Sequence, residues 1–128
     1  MSAFVVLLLV ALFVVMGMVV DGGSALTAHE SAVDEAEQAA RAGAGALSVD
    51  ALRSGLLRLD AQAAVAAAQA FTVGAGHPGT ATVSVGVVTV SISYRVPTSI
   101  LGIVGIGSLP VSASASAVDL GGVVQGTP

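Results

Sequence analysis

The first twenty residues, MSAFVVLLLVALFVVMGMVV (residues 1–20), decide the fold because they carry no charged side chain, and Ser2 is their only polar side chain. A helix rises about 1.5 Å per residue, so a helix of this length spans roughly 30 Å, the thickness of a bilayer's hydrocarbon core. In lipid the backbone must satisfy its own hydrogen bonds, and a helix does so. We therefore predict a transmembrane helix and assign residues 1–23 to it.

Two other interpretations of this stretch stay open. A buried helix of a soluble protein would have to be covered on every side, and a chain of 128 residues has little material to do so. A cleaved signal peptide usually has a basic leader and an apolar segment of about 7–15 residues, although Gly23-Ser24-Ala25 would serve as a cleavage site. No Lys or Arg lies within fifteen residues of the stretch to set its orientation, and we expect the C-terminal part to be exported.

The composition excludes several classes of function. Four basic residues stand against eight acidic ones, and no basic cluster is present. This balance argues against nucleic-acid binding and against electrostatic attraction to anionic lipid. The absence of cysteine excludes a disulfide framework and a thiolate site for metal binding or catalysis.

The chain beyond the span begins as an amphipathic helix over residues 24–47. Its apolar stripe consists almost entirely of alanine, and its polar side carries acids and Arg41, which follows Glu37 by four residues in the favourable order. Small side chains allow close packing against a partner helix or sheet. Residues 1–47 are therefore expected to form one long helix, weakened at its end by the Gly-Ala run of residues 42–46.

A second helical region follows. Residues 51–53 suit one turn of helix that Gly55 ends, and residues 56–59 suit a short strand. Asp60 is a good N-cap because its side chain can accept hydrogen bonds from unpaired backbone N–H groups. The helix it begins, residues 61–71, is expected to face inward with three side chains: Val65, Ala68 and Phe71.

The rest of the chain shows the alternation of β-strands. Residues 80–96 predict a hairpin, because the apolar phase flips at Gly86, as a tight turn or a bulge would require. Pro97 ends the second strand, Thr98 can cap a short helix over residues 99–106, and Pro110 opens a third strand. Residues 121–128 are expected to be a loose tail.

These elements predict an α+β fold in which the long N-terminal helix and a short second helix pack on a small antiparallel sheet of about three strands. The head, residues 24–128, is expected outside the cytoplasm, mainly helical over 24–76 and mainly β over 80–118. Thr and Ser line the other face of the sheet, which can meet water.

No constellation of residues indicates catalysis or a bound cofactor. His29 shares one side of a helix with acids, but a metal site would need more converging ligands. No acid or hydroxyl is evidently organised around His77, and Asp34-Glu35 is typical of a solvated helix face. The glycines of residues 102–107 lack the spacing of a nucleotide-binding loop. We expect no enzyme, no metal and no cofactor.

The run Val19-Val20-Asp21-Gly22-Gly23, followed by the acidic, alanine-rich residues 34–44, resembles the N-terminal segment of Tad-type (tight adherence, Flp pilus) assembly proteins. These are the TadE/TadG-like minor pilins and pseudopilins. The ending, residues 101–106 and 111–115, is similar to the C-terminal part of their short actinobacterial members. Family members often carry a glutamate at the fifth mature position, whereas positions 4–6 here are Phe-Val-Val, so that glutamate's role is not carried over.

The resemblance implies a pilin-like fold and a structural or assembly role in a Tad/Flp-type pilus or related secretion apparatus. The expected location is the cell membrane, crossed once, and the expected partners are membrane lipid, other pilin-like subunits and Tad secretion components in a homo- or hetero-oligomer. The helix-packing candidates are Phe4, Leu8, Ala11, Val15, Asp21 and Gly22. Plain lipid contact, and for Asp21 a solvated position at the membrane edge, are the alternatives.

A second functional hypothesis also stays open. The head can be a membrane-anchored or secreted binding module for a ligand that the sequence does not identify, with the Thr/Ser face of the sheet as the contact surface.

Overall fold

The computed structural model describes residues 1–118, which form an α+β fold, as predicted. The expected loose tail, residues 121–128, lies outside them. The elements in chain order are α1 (Ser2–Ala44), α2 (Val49–Arg53), α3 (Ala61–Gly74), β1 (Gly79–Ser84), β2 (Val87–Pro97), a 3-10 helix (Leu101–Val104) and β3 (Ser108–Val118). The three strands form one sheet in the order β1-β2-β3.

The chain divides into two compact units. The first comprises Met1–Ser31 and Tyr94–Val111, and the second comprises Ala32–Ser93 and the chain from Ser112 onward. The first unit holds the apolar part of α1 and the 3-10 helix, and the second holds α2, α3 and β1. The predicted boundary after residue 23 depends on a membrane and stays a prediction.

Helix α1 is a single helix of 43 residues, which confirms the prediction of one long helix. It is the one helix of the described residues that is long and apolar enough to cross a membrane. Only 6% of its most apolar window is buried, so the interpretation as a covered core helix of a soluble protein is disfavoured. Gly22 and Gly23 lie inside the helix and do not end it.

The hairpin of β1 and β2 turns where the apolar phase flips. The strands pair antiparallel from Gly79 opposite Ile92 to Ser84 opposite Val87. Val85 and Gly86 form the turn with φ values of 50° and 76°. Two consecutive positive φ angles are the geometry of a type I′ turn, which matches the twist of the flanking strands.

The two faces of the sheet differ as the alternation predicts. On the apolar face, buried side chains come from β2 and β3: Val88, Val90, Ile92, Val111 and Ala113. On the polar face of the second unit, hydroxyls pair across the strands, with 2.8 Å between Thr89 Oγ1 and Ser116 Oγ and 3.1 Å between Ser91 Oγ and Ser114 Oγ.

The core of the second unit is built from small side chains. Six alanines of α1 and α3 are completely buried: Ala32, Ala36, Ala39, Ala40, Ala64 and Ala68. Gly43 lies at a close approach of α1 to α3, since a Cβ there would stand 2.9 Å from the carbonyl oxygen of Ala64. The alanine stripe therefore serves close packing inside the head.

Helix α3 points the predicted side inward, with Ala68 buried at its centre, but the buried strip is narrower than predicted. Asp60 caps it as expected, its Oδ1 accepting from the N–H of Ala63 at 3.0 Å. The buried residues, however, are Ala64, Ala68 and Thr72, and Phe71 is exposed. The prediction for Phe71 was wrong because the contact admits only small side chains.

Two other local predictions were also wrong. Residues 56–59 form no strand, and their only β-type pairing is an isolated antiparallel bridge between Leu47 and Leu59. The predicted helix over residues 99–106 is a 3-10 helix of four residues, and the side chain that caps it belongs to α1.

Candidate functional site

The main polar feature of the first unit is the carboxylate of Asp21, which we call the clamp. It accepts three backbone hydrogen bonds, from Ser99 at 2.8 Å, Ile100 at 2.9 Å and Leu101 at 2.7 Å. Asp21 is only 3% exposed although it lies on the otherwise apolar part of α1. Its partners are 78 to 80 residues away in sequence.

The clamp has a simple electrostatic basis. The first N–H groups of a helix lack partners within the helix and point outward together, so they form a site for an anion. Hydrogen bonds to an ionised acceptor are about twice as strong as neutral ones. A buried charge is tolerated only when such partners replace water. Asp21 therefore fixes the start of the 3-10 helix to α1.

The segment fixed by the clamp is the connection between β2 and β3, residues 98–107, which we call the apolar loop. Within it, the N–H of Ile103 donates to the Ile100 carbonyl at 3.1 Å, and the N–H of Ile106 donates to the Leu101 carbonyl at 3.0 Å. Thr98 donates from its N–H to the Gly107 carbonyl and from its hydroxyl to the Ile106 carbonyl. Several backbone N–H and C=O groups of the loop are thus paired by hydrogen bonds within the loop itself.

The apolar loop packs against α1 beside the clamp. Gly17 makes room for it, since a Cβ at this position would stand 2.9 Å from Ile100 Cγ2. An apolar groove of about 240 Å³ lies between the two segments. Its lining residues are Val10, Phe13, Val14, Ile100, Leu101, Ile103 and Val104. The protein's own loop therefore covers this helix stripe at Gly17 and Asp21, whereas Val10 and Phe13 further along it remain exposed.

The predicted packing residues lie on another stripe of α1. We call Phe4, Leu8, Ala11, Val15 and Gly22 the packing stripe. At about 100° per residue, its centre lies roughly 130° around the helix axis from Gly17 and Asp21. Phe4 is 71%, Leu8 55% and Val15 58% exposed, and Gly22 has nothing within 4 Å that a Cβ would meet.

Asp21 stands apart from the other predicted residues. Its carboxylate is directed at the apolar loop, so the interpretation as a solvated residue at the membrane edge was wrong. The clamp was not predicted, because its partners are backbone groups nearly eighty residues away. A lone acid in an apolar helix is, however, a recognisable sign of a buried polar contact.

The second unit contains a hydrogen-bonded pair of His77 and Glu35 that sequence reasoning missed. His77 Nδ1 lies 2.9 Å from Oε2 of Glu35, whose side chain is 12% exposed. Oε1 of Glu35 is buried without a hydrogen-bond partner. The interpretation of Asp34-Glu35 as a solvated pair was therefore wrong for Glu35. Residues 1–118 contain no group of three or more His, Cys, Asp or Glu placed to hold a metal ion.

The polar face of the sheet carries a shallow open depression. Pro78, Gly79 and Thr80 border it together with residues 91–93 and 112–114. Its hydroxyls include Ser91 and Ser114, which hydrogen-bond to each other. This pairing stabilises the strands and does not single out a ligand for the head.

An exposed apolar N-terminal helix followed along the chain by a small α+β region is the plan of a pilin-like protein. Residues 1–46 match the family model "Putative Flp pilus-assembly TadE/G-like". The match confirms the resemblance of the N-terminal segment to Tad-type assembly proteins and supports a pilus-related role. No curated protein and no solved structure matches the chain.

Proposed function

We propose that this protein is a structural or assembly component of a Tad/Flp-type pilus or a related secretion apparatus, without enzymatic activity. Its N-terminal helix holds it in the membrane as a single span, and the α+β head faces away from the cytoplasm. On assembly the helix leaves lipid contact and bundles with the helices of other pilin-like subunits.

The observation that carries the proposal is the division of α1 into two stripes. The stripe containing Gly17 and Asp21 is used by the protein's own apolar loop. The packing stripe, with Phe4, Leu8 and Val15, is uncovered among the described residues. A contiguous apolar surface of this kind marks a membrane or protein contact. Small residues within it, Ala11 and Gly22, let helix backbones approach closely.

The functional test is deletion of the gene in its native host. We expect loss of surface pili or of assembled secretion machinery, with restoration by the wild-type gene. The tagged protein, extracted from membranes with detergent, is expected to co-purify with other pilus components. Normal piliation and an intact assembly machinery in the deletion strain would contradict the proposal.

A pair of adjacent leucines tests the packing stripe. The chain contains no cysteine, so a single introduced thiol is unique. Leu8→Cys places it on the stripe, and Leu9→Cys places it about 100° around the helix. Leu8 is 55% and Leu9 50% exposed, so the two sites are matched in residue type and accessibility. We expect Leu8→Cys to crosslink to another pilin-like subunit in membranes, and Leu9→Cys to do so several-fold less.

The crosslinks are measured with a short thiol-reactive crosslinker on intact membranes, followed by gel analysis. Labelling of both variants with a lipid-soluble maleimide controls for thiol reactivity. Equal crosslinking from both positions would contradict a defined stripe and would indicate plain lipid contact with random collisions.

A further inference from the structure

We infer that the apolar loop inserts into the outer leaflet of the membrane, where lipid acyl chains cover its exposed side chains. The protein would then hold the bilayer at two places, the helix and the loop beside it. This inference rests on the proposed membrane anchoring and goes beyond it, since the span alone requires no second insertion.

The depth of the loop follows from its contacts with α1. Ile100 lies beside Gly17, and the groove extends along the helix to Val10. Val10 lies about 16 Å below Asp21 along the helix axis, and one leaflet of hydrocarbon is roughly 15 Å thick. If α1 crosses the bilayer with Asp21 at the outer boundary, the loop must lie within the outer leaflet.

The chemistry of the loop fits this position. Ile103 is 86%, Val104 53% and Ile106 47% exposed. Three large aliphatic side chains of one short segment are seldom left in water together. The sequence from Val96 to Val118 contains no charged residue. The loop therefore has no charged side chain that would make its transfer from water to lipid unfavourable.

The backbone of the loop is also prepared for lipid. An unpaired N–H or C=O group costs several kcal/mol in a bilayer, so irregular segments are tolerated there only when their polar groups are paired. The clamp satisfies three N–H groups at the start of the 3-10 helix. Further hydrogen bonds close the loop on itself, from Thr98 to Gly107 and from Ile106 to Leu101.

Lipid is a better occupant than a second subunit for a geometric reason. The loop continues the apolar surface of α1 on the stripe that contains Gly17, whereas the packing stripe lies roughly 130° away around the axis. Subunits that bundle through the packing stripe leave the loop facing outward. In the membrane, a loop that faces away from the bundle is surrounded by lipid acyl chains.

A single tryptophan tests the position of the loop, because the chain has none. Ile103→Trp is placed in full-length protein reconstituted at high lipid dilution in phosphatidylcholine vesicles. Leu9→Trp is the control for lipid contact. Ser31→Trp, at an exposed position about 15 Å beyond Asp21 on the same helix, is the control for water.

We expect Ile103→Trp to emit at shorter wavelength than Ser31→Trp and to lose more than half of its intensity when the acyl chains are brominated, as Leu9→Trp does. Quenching by aqueous iodide equal to that of Ser31→Trp would overturn the inference. Protection from both quenchers would also overturn it, in favour of a protein occupant. Flotation of the wild-type chain with vesicles measures anchoring separately, so failure of the loop inference leaves the proposed anchor intact.

Discussion

Replacing Asp21 by alanine is expected to release the apolar loop from α1. Three backbone N–H groups, those of Ser99, Ile100 and Leu101, lose their acceptor in one step. Buried donors without partners are strongly unfavourable, so the loop should leave its position and find hydrogen bonds in water. We expect the amides of these three residues to exchange with solvent roughly tenfold faster or more, as an effect of three lost bonds.

Hydrogen–deuterium exchange of the full-length protein in vesicles measures this effect residue by residue. Asp34→Ala is the matched control, since Asp34 is an exposed acid on the same helix. Asp21→Asn retains one carbonyl oxygen as acceptor and should give an intermediate rate. Unchanged exchange in Asp21→Ala would show that the apolar contacts at Gly17 hold the loop without the clamp.

Release of the apolar loop in Asp21→Ala is also expected to affect aggregation and proteolysis of the whole protein. Ile103 and its aliphatic neighbours would no longer be held beside the span, and exposed apolar segments promote aggregation and proteolysis. We therefore expect lower steady-state amounts of Asp21→Ala in membranes than of Asp34→Ala.

Much of the fold followed from local patterns. The helix of the uncharged run, the cap at Asp60 and the turn at Gly86 each depend on neighbours a few residues away, and each was predicted correctly. The inward side of α3 was predicted around Ala68, but which residues flanking it are buried was not predictable in the same way. The contact of Ala64 with Gly43 depends on how closely two distant segments approach, and hydrophobicity alone favoured Phe71.

The candidate site shows the same limit more clearly. The packing stripe stays a prediction, and its residues share a face because positions three and four apart lie together on a helix. The clamp joins Asp21 to backbone N–H groups at Ser99–Leu101. Every residue type except proline has such a group, so the sequence does not show which ones Asp21 contacts. The pair of Glu35 and His77, 42 residues apart, was hidden because each residue also suits a solvated position.

Gly43→Leu is expected to cause the largest loss of stability in the head. A Cβ at this position would stand 2.9 Å from both the Ala64 carbonyl oxygen and Val88 Cγ1, and 3.3 Å from Ala68 Cβ. The first of these neighbours is backbone and cannot rotate away, so α1 and α3 must separate. Overpacking of a close contact costs about 3 kcal/mol, and a leucine adds further atoms that have no space.

Gly43→Ala separates steric conflict from helix propensity. In a helix interior, alanine is favoured over glycine by about 1 kcal/mol, which opposes the cost of the clash. Gly23→Ala is the control on the same helix, because a Cβ there meets nothing within 4 Å. Thermal unfolding of the full-length chain in detergent, followed by circular dichroism, should show Gly43→Leu melting lowest, Gly43→Ala below wild type, and Gly23→Ala at or above wild type. If Gly43→Ala instead melts as Gly23→Ala does, the helices are not in backbone contact at Gly43, and the alanine stripe must serve an interface other than the one with α3.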